Sequence, residues 1–127
     1  MGQQQLLLIV LGVIVVGIAV VVGINLFNAN ATAANRDGVI SDLNNLSAMA
    51  QQFYKKPTSM GGGGNTFTSW TIPTGLDSTA NGTYGATPSA SNVIIVGTGY
   101  EPGDDGTNPV KATATVTSST ISVAVNN

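Results

Sequence analysis

Oxygen ligands gather near the end of the chain, where Glu101, Asp104, Asp105 and Asn108 share one Gly/Pro-rich loop. Carboxylate and amide oxygens are the donors a hard cation takes, and calcium is the ion such a cluster suits. The ligand spacing of an EF-hand is absent, and Gly103-Asp104-Asp105-Gly106 is also ordinary turn chemistry. The loop stands as a calcium candidate against that plainer reading. No other metal site and no cofactor is expected.

Other chemistry lacks its central members. The 127 residues include no histidine and no cysteine. The usual triads, thiolate zinc sites and disulfides are thereby excluded. A glycosidase needs two carboxyls flanking one bond, and nothing in the sequence brings Asp77 near Glu101 or Asp104. The tract Gly61-Gly62-Gly63-Gly64 has neither the GK[ST] that follows a phosphate loop nor the strand that precedes one. The chain is expected not to be an enzyme. Four basic side chains against six acidic ones, none before Arg36, also argue against a nucleic-acid partner. Asn30-Ala31-Thr32, Asn45-Leu46-Ser47 and Asn81-Gly82-Thr83 fit the N-glycosylation pattern, and Asn81 is the one expected in a loop.

The element that dominates the chain is the apolar run of residues 6–24. Leu6, Leu7, Leu8, Ile9, Val10 and Leu11 open it, and Gly12, Val13, Ile14, Val15, Val16 and Gly17 continue it. Ile18, Ala19, Val20, Val21, Val22, Gly23 and Ile24 close it, with no polar side chain anywhere. At roughly 1.5 Å per residue this helix spans about 28 Å, the thickness of a bilayer's hydrocarbon core. No Lys or Arg precedes it and no small-residue cleavage site clearly follows, so it does not read as an ordinary secretory signal. Ala19 and Gly23 have the small-xxx-small spacing that lets membrane helices approach, although glycine is also simply common in such helices.

Past the apolar run no proline intervenes until Pro57, and Val39, Leu43, Leu46, Ala50 and Phe53 keep a helical spacing. One helix over about residues 3–55 is predicted, with Asn28, Asn30, Thr32 and Asn35 marking its exit from the membrane. Asn, Asp, Gln and Lys are assigned to its opposite, wet face. Arg36 and Asp37 suit either pairing between subunits or plain solvation. Residues 57–65 are expected as a flexible Gly-rich loop.

Strands are predicted over 66–72, with Trp70 and Ile72 on one face, over 82–86 around Tyr84, and over 92–98. The run Val93-Ile94-Ile95-Val96 suggests a central strand covered on both faces. Val110, Ala112, Ala114 and Val116, then Ile121, Val123 and Val125, alternate as a C-terminal hairpin. Trp70 is expected in the core; Tyr84 and Tyr100 are candidates for a surface stacking role. The fold class is α+β: an apolar helix (1–27), its amphipathic continuation (28–56), the loop (57–65) and a small antiparallel sheet (66–127), together a ladle. Val39, Leu43, Leu46, Ala50 and Phe53 are expected to join helix to sheet.

With its apolar N-terminal helix, the continuation ANRDGVISDLNNLSAMAQQFYKKP and a C-terminal sheet, the chain resembles a type IV pilin or pilin-like filament subunit. The likeness covers the whole chain in architecture and roughly the first fifty-five residues in detail. It implies a homopolymer of identical subunits, membrane-inserted before assembly and extracellular afterwards, with residues 6–24 packed in the filament core. It also implies a prepilin peptidase and a pilus assembly machinery as partners. Where most mature members carry a glutamate near the helix start, Gln5 stands here as the register candidate, if Met1 begins the mature chain. Cleavage after Gly2 is the alternative, and a chain starting at Met1 is the expectation. The helix-breaking proline of the family is replaced by Val20, Val21 and Val22, which favours a continuous helix. The competing expectation is a signal-anchored, single-pass membrane protein with a small exported binding domain.

Overall fold

The computed structural model describes residues 2–127, in which one helix, α1 (Gly2–Lys55), precedes a short 3-10 turn (Thr58–Met60) and four strands. The strands are β1 (Gly82–Pro88), β2 (Asn92–Pro102), β3 (Pro109–Thr117) and β4 (Ile121–Val125). Each pairs antiparallel with the next, so sheet order equals chain order. Two compact units result: the first ends at Ala31 and the second is Thr32–Asn127. The fold is α+β, with a long N-terminal helix packed against a four-stranded antiparallel sheet.

Hydrophobic spacing dictates the second unit. Val39, Leu43, Leu46 and Ala50 recur every three or four residues, so they share one helix face, and all four are buried. They meet the inward residues of a pleated sheet, Tyr84, Val93, Ile95, Ala112, Ala114 and Val116, in one cluster. Phe53 is half-buried at its edge. Ser47 is the one polar side chain fully enclosed among the described residues, and its hydroxyl donates to the Leu43 carbonyl at 2.6 Å, which settles its own hydrogen bond within the helix.

The strand expected over 66–72 is not formed. Phe67 and Trp70 are both buried, whereas three residues apart on a strand they would face opposite ways. A turn closed by Trp70 N–H to the Phe67 carbonyl (2.9 Å) brings both inward. The Thr66 hydroxyl accepts from Thr68 N–H, a local bond that competes with any sheet ladder. Trp70 does belong to the core, but from a loop, and Phe67 stacks at 4.7 Å on Tyr54. The strand around Val93 is central but covered on one face only, because Val93 and Ile95 are buried while Ile94 is 38% exposed.

Nor is the glycine tract a slack linker. Gly63 N–H donates to the Phe53 carbonyl (2.8 Å), Gly64 N–H to Lys56 (3.0 Å) and Asn65 N–H to Tyr54 (2.8 Å). These are carbonyls that the end of a helix leaves without partners. A Cβ on Gly63 would lie 2.0 Å from the Thr66 carbonyl oxygen, so only glycine lets the chain fold back that tightly. The tract is the C-terminal cap of α1.

Leu43→Ala is expected to lower stability by about 2–5 kcal/mol, the range for emptying a sealed core position. Met49→Ala, on the wet side of the same turns, should stay within about 0.5 kcal/mol. Denaturant unfolding of the full chain in detergent micelles checks both.

Candidate functional site

In the first unit, the apolar surface of α1 has no covering among the described residues. Leu7 and Val13 are each 69% exposed, Ile14 53% and Phe27 73%. Every other side chain of residues 6–24 is likewise exposed, and a Cβ added at Gly12, Gly17 or Gly23 would touch nothing. By length and composition this is the one helix among the described residues able to cross a membrane. Gln5 is exposed and makes no side-chain hydrogen bond among the described residues. An uncharged cylinder of Leu, Ile and Val cannot rest in water, since each such side chain gains about 1.5–3 kcal/mol on burial. It requires lipid or other apolar helices around it. A long apolar N-terminal helix of this kind is compatible with membrane anchoring or with filament assembly.

The acidic loop assembles differently from a cation cage. Asp104 is ion-paired with Arg36, whose Nη2 donates to Oδ1 at 2.6 Å. Asp105 Oδ1 accepts from the N–H groups of Thr107 and Asn108, both at 2.9 Å, and Oδ2 from the Asn108 side-chain amide at 2.7 Å. Asn108 therefore enters as a donor to Asp105, and Asn127 bonds into the same loop. Bonds to the Thr107 N–H and to Asn108 hold the Asp105 carboxyl down at about 2. Among the described residues no group of three or more acidic side chains is placed to hold a metal. Asp104, Asp105 and Asn108 are thus engaged within the β2–β3 connection, while Glu101 belongs to the end of β2 and takes part through its backbone N–H.

Sequence reasoning put the polar residues of α1 on its wet face and so missed three that grip the sheet. Asn35 donates to the Asn81 carbonyl (2.7 Å), while its Oδ1 accepts from Tyr100 N–H (3.1 Å) and Glu101 N–H (3.2 Å). Those two consecutive donors sit at the register shift between β2 and β3, where the ladder leaves them free. Asp42 Oδ2 accepts from Tyr84 Oη (2.6 Å), Thr79 Oγ1 (2.8 Å) and Asn81 Nδ2 (3.1 Å). Gln51 Nε2 donates to the carbonyl of Thr117, the last residue of β3. The signal was available: residues 35, 42 and 46 recur in step with Val39 and Leu43, which places Asn35 and Asp42 beside the apolar stripe.

The same contacts reassign other residues. Arg36 pairs within the chain with Asp104. Tyr84 is buried and its hydroxyl committed to Asp42, so it is no surface stacking residue; Tyr100 is 58% exposed. Asn81, the glycosylation candidate, has its amide on Asp42 and its side chain packed where a Cβ on Gly38 would stand. Comparison with known protein families, with characterised proteins and with solved structures gives no match.

Burial pushes the Asp42 carboxyl up, but the bonds from Tyr84, Thr79 and Asn81 outweigh it and hold it below its ordinary value. Burial and the Asp42 bond push the Tyr84 hydroxyl well above its usual range. A carboxyl depressed by folding stabilises the fold above its unfolded value, about 4, and loses that contribution as pH falls through its folded value. The full chain should therefore lose stability below about pH 4, with the Asp105 share persisting toward about pH 2. Asp42→Asn is expected to be less stable at pH 7, on the order of 1 kcal/mol. Unfolding midpoints of the two chains should converge as the pH is taken from 5 to 3.

Proposed function

We propose that this chain is the structural subunit of an extracellular, type IV pilus-like filament that polymerises through its N-terminal apolar helix. The observation that carries the reading is the exposure of every apolar side chain in residues 6–24, on a helix without charge from Gln3 through Asn35. In the membrane this surface is satisfied by lipid. Once extracted, it finds an equivalent environment only against the same segment of other copies. At about 0.8 kcal/mol per buried CH2, a bundle of such helices does not dissociate in water.

On this reading the work is mechanical and no reaction is catalysed. The partners are identical subunits, the cytoplasmic membrane before assembly, and by resemblance a prepilin peptidase and an assembly machinery. Gly12, Gly17, Ala19 and Gly23 leave room for close helix approach. Gln5, an uncharged amide, can donate to and accept from a neighbouring subunit at the start of the bundle. A single-pass anchor carrying a binding domain uses the same helix but leaves it in lipid permanently.

Electron microscopy of the purified chain after detergent removal distinguishes the two. Fibres are expected, and Val15→Asp should abolish them, since a lone carboxylate in a dry bundle costs several kcal/mol. A chain that remains a micellar monomer, or one whose second unit is shaved from vesicles by protease while no fibre forms, would overturn the filament in favour of the anchor.

A further inference from the structure

The two outer edges of the sheet differ in what already occupies them. Along β1, the Gly82 carbonyl accepts from Thr79 N–H (2.9 Å), Tyr84 N–H donates to the Asp77 carbonyl (2.8 Å), and Ser78 bridges Thr83. The strand then ends on Pro88, which has no N–H to give. On β4 the backbone pairs with β3 and, among the described residues, with nothing else. The first half of the β1 edge is occupied, over Gly82–Tyr84, and the β4 edge is open along its length.

Sheets usually guard an open edge with Lys, Pro or a bulge, because its unpaired N–H and C=O groups template another strand. Residues 118–127 contain no charge and no proline. The side chains are unguarded too. Ile121 and Val125 are 38% and 46% exposed, on the face where their β3 partners Val116 and Ala112 are buried. The apolar face therefore continues past its cover onto the last strand.

We propose that β4 pairs antiparallel with β4 of a second copy of this chain, joining two four-stranded sheets into one. The sequence of the strand chooses that occupant. Pairing centred on Val123 sets Ile121 opposite Val125 of the other copy, Val123 opposite Val123, and Ser122 opposite Ala124. Apolar meets apolar on one face and small meets small on the other, with no charge opposed to a like charge. With Gly82–Tyr84 already occupied and Pro88 unable to donate, β1 offers little free edge for head-to-tail pairing, and the self-complementary order of β4 makes the contact isologous. A strand of five residues per copy is far smaller than the roughly 800 Å² per partner of stable complexes. The contact accordingly forms between copies already held close, on one membrane or in neighbouring assemblies. This goes beyond the filament reading and does not require it.

Cysteine cross-linking tests the register directly, because the natural chain has no cysteine. Ser122 and Ala124 are exposed, so Ser122→Cys and Ala124→Cys leave the core untouched. With full-length chains co-reconstituted in lipid vesicles and oxidised, disulfides between positions 122 and 124 should form at least about tenfold faster than 122 with 122. They should exceed Thr83→Cys with itself by the same margin, since only facing residues come within disulfide reach. Equal yields in all pairs, or no 122–124 product, would overturn the pairing. Fibres without the 122–124 product reject the pairing and leave the filament standing. The product in chains that form no fibre supports the pairing and counts against the filament.

Discussion

Everything in the second unit follows from how closely α1 lies on its sheet. A Cβ on Gly97 would come within 2.8 Å of the Val39 side chain, and one on Gly99 within 2.1 Å of the Asn35 amide oxygen. With Ala112 and Ala114 beside them, these positions form a shallow trough for one helix. Small residues in the sheet let Val39, Leu43 and Ala50 be sealed completely. A single helix thus covers the buried halves of β2 and β3, and β4 at the sheet's margin is left half-open.

Close seating makes polar groups on the helix useful as well as tolerable. Asn35 reaches the bulged donors at Tyr100 and Glu101, which would otherwise go unpaired. Asp42 gathers the hydroxyls of Thr79 and Tyr84 and the amide of Asn81 on one oxygen, tying the stretch ahead of β1 to the helix. That stretch in turn occupies the outer edge of β1. One carboxylate is therefore linked through its partners to the closure of an edge strand, and its depressed pKa makes the arrangement sensitive to acid.

The first unit obeys a different requirement. Its backbone is satisfied internally as a helix, but every side chain of residues 6–24 is exposed among the described residues. Such a segment has no comfortable state as a lone molecule in water, so its surroundings are part of its structure. Lipid and a surround of other apolar helices are chemically equivalent answers to that requirement.

The sequence by itself determined the long helix, its apolar first half, the packed stripe through Val39, Leu43, Leu46 and Ala50, and the strands around Tyr84, Val93, Val110 and Val123. Each of these is written in a repeat of 3.6 or 2, a local property that survives without knowledge of neighbours. Tertiary structure alone decided the rest. Phe67 and Trp70 enter the core through a turn, because hydrophobic residues in an irregular segment carry no period to read. Gly63, Gly64 and Asn65 cap a helix because carbonyls at its end needed donors, and composition does not reveal which donors arrive. Asn35, Asp42 and Gln51 became contacts and not solvent-facing polar groups, Glu101 became the end of a strand, and Asp104, Asp105 and Asn108 bond within the chain. A polar side chain's role depends on which group is brought within 3 Å of it, and that is settled only when distant parts of the chain meet.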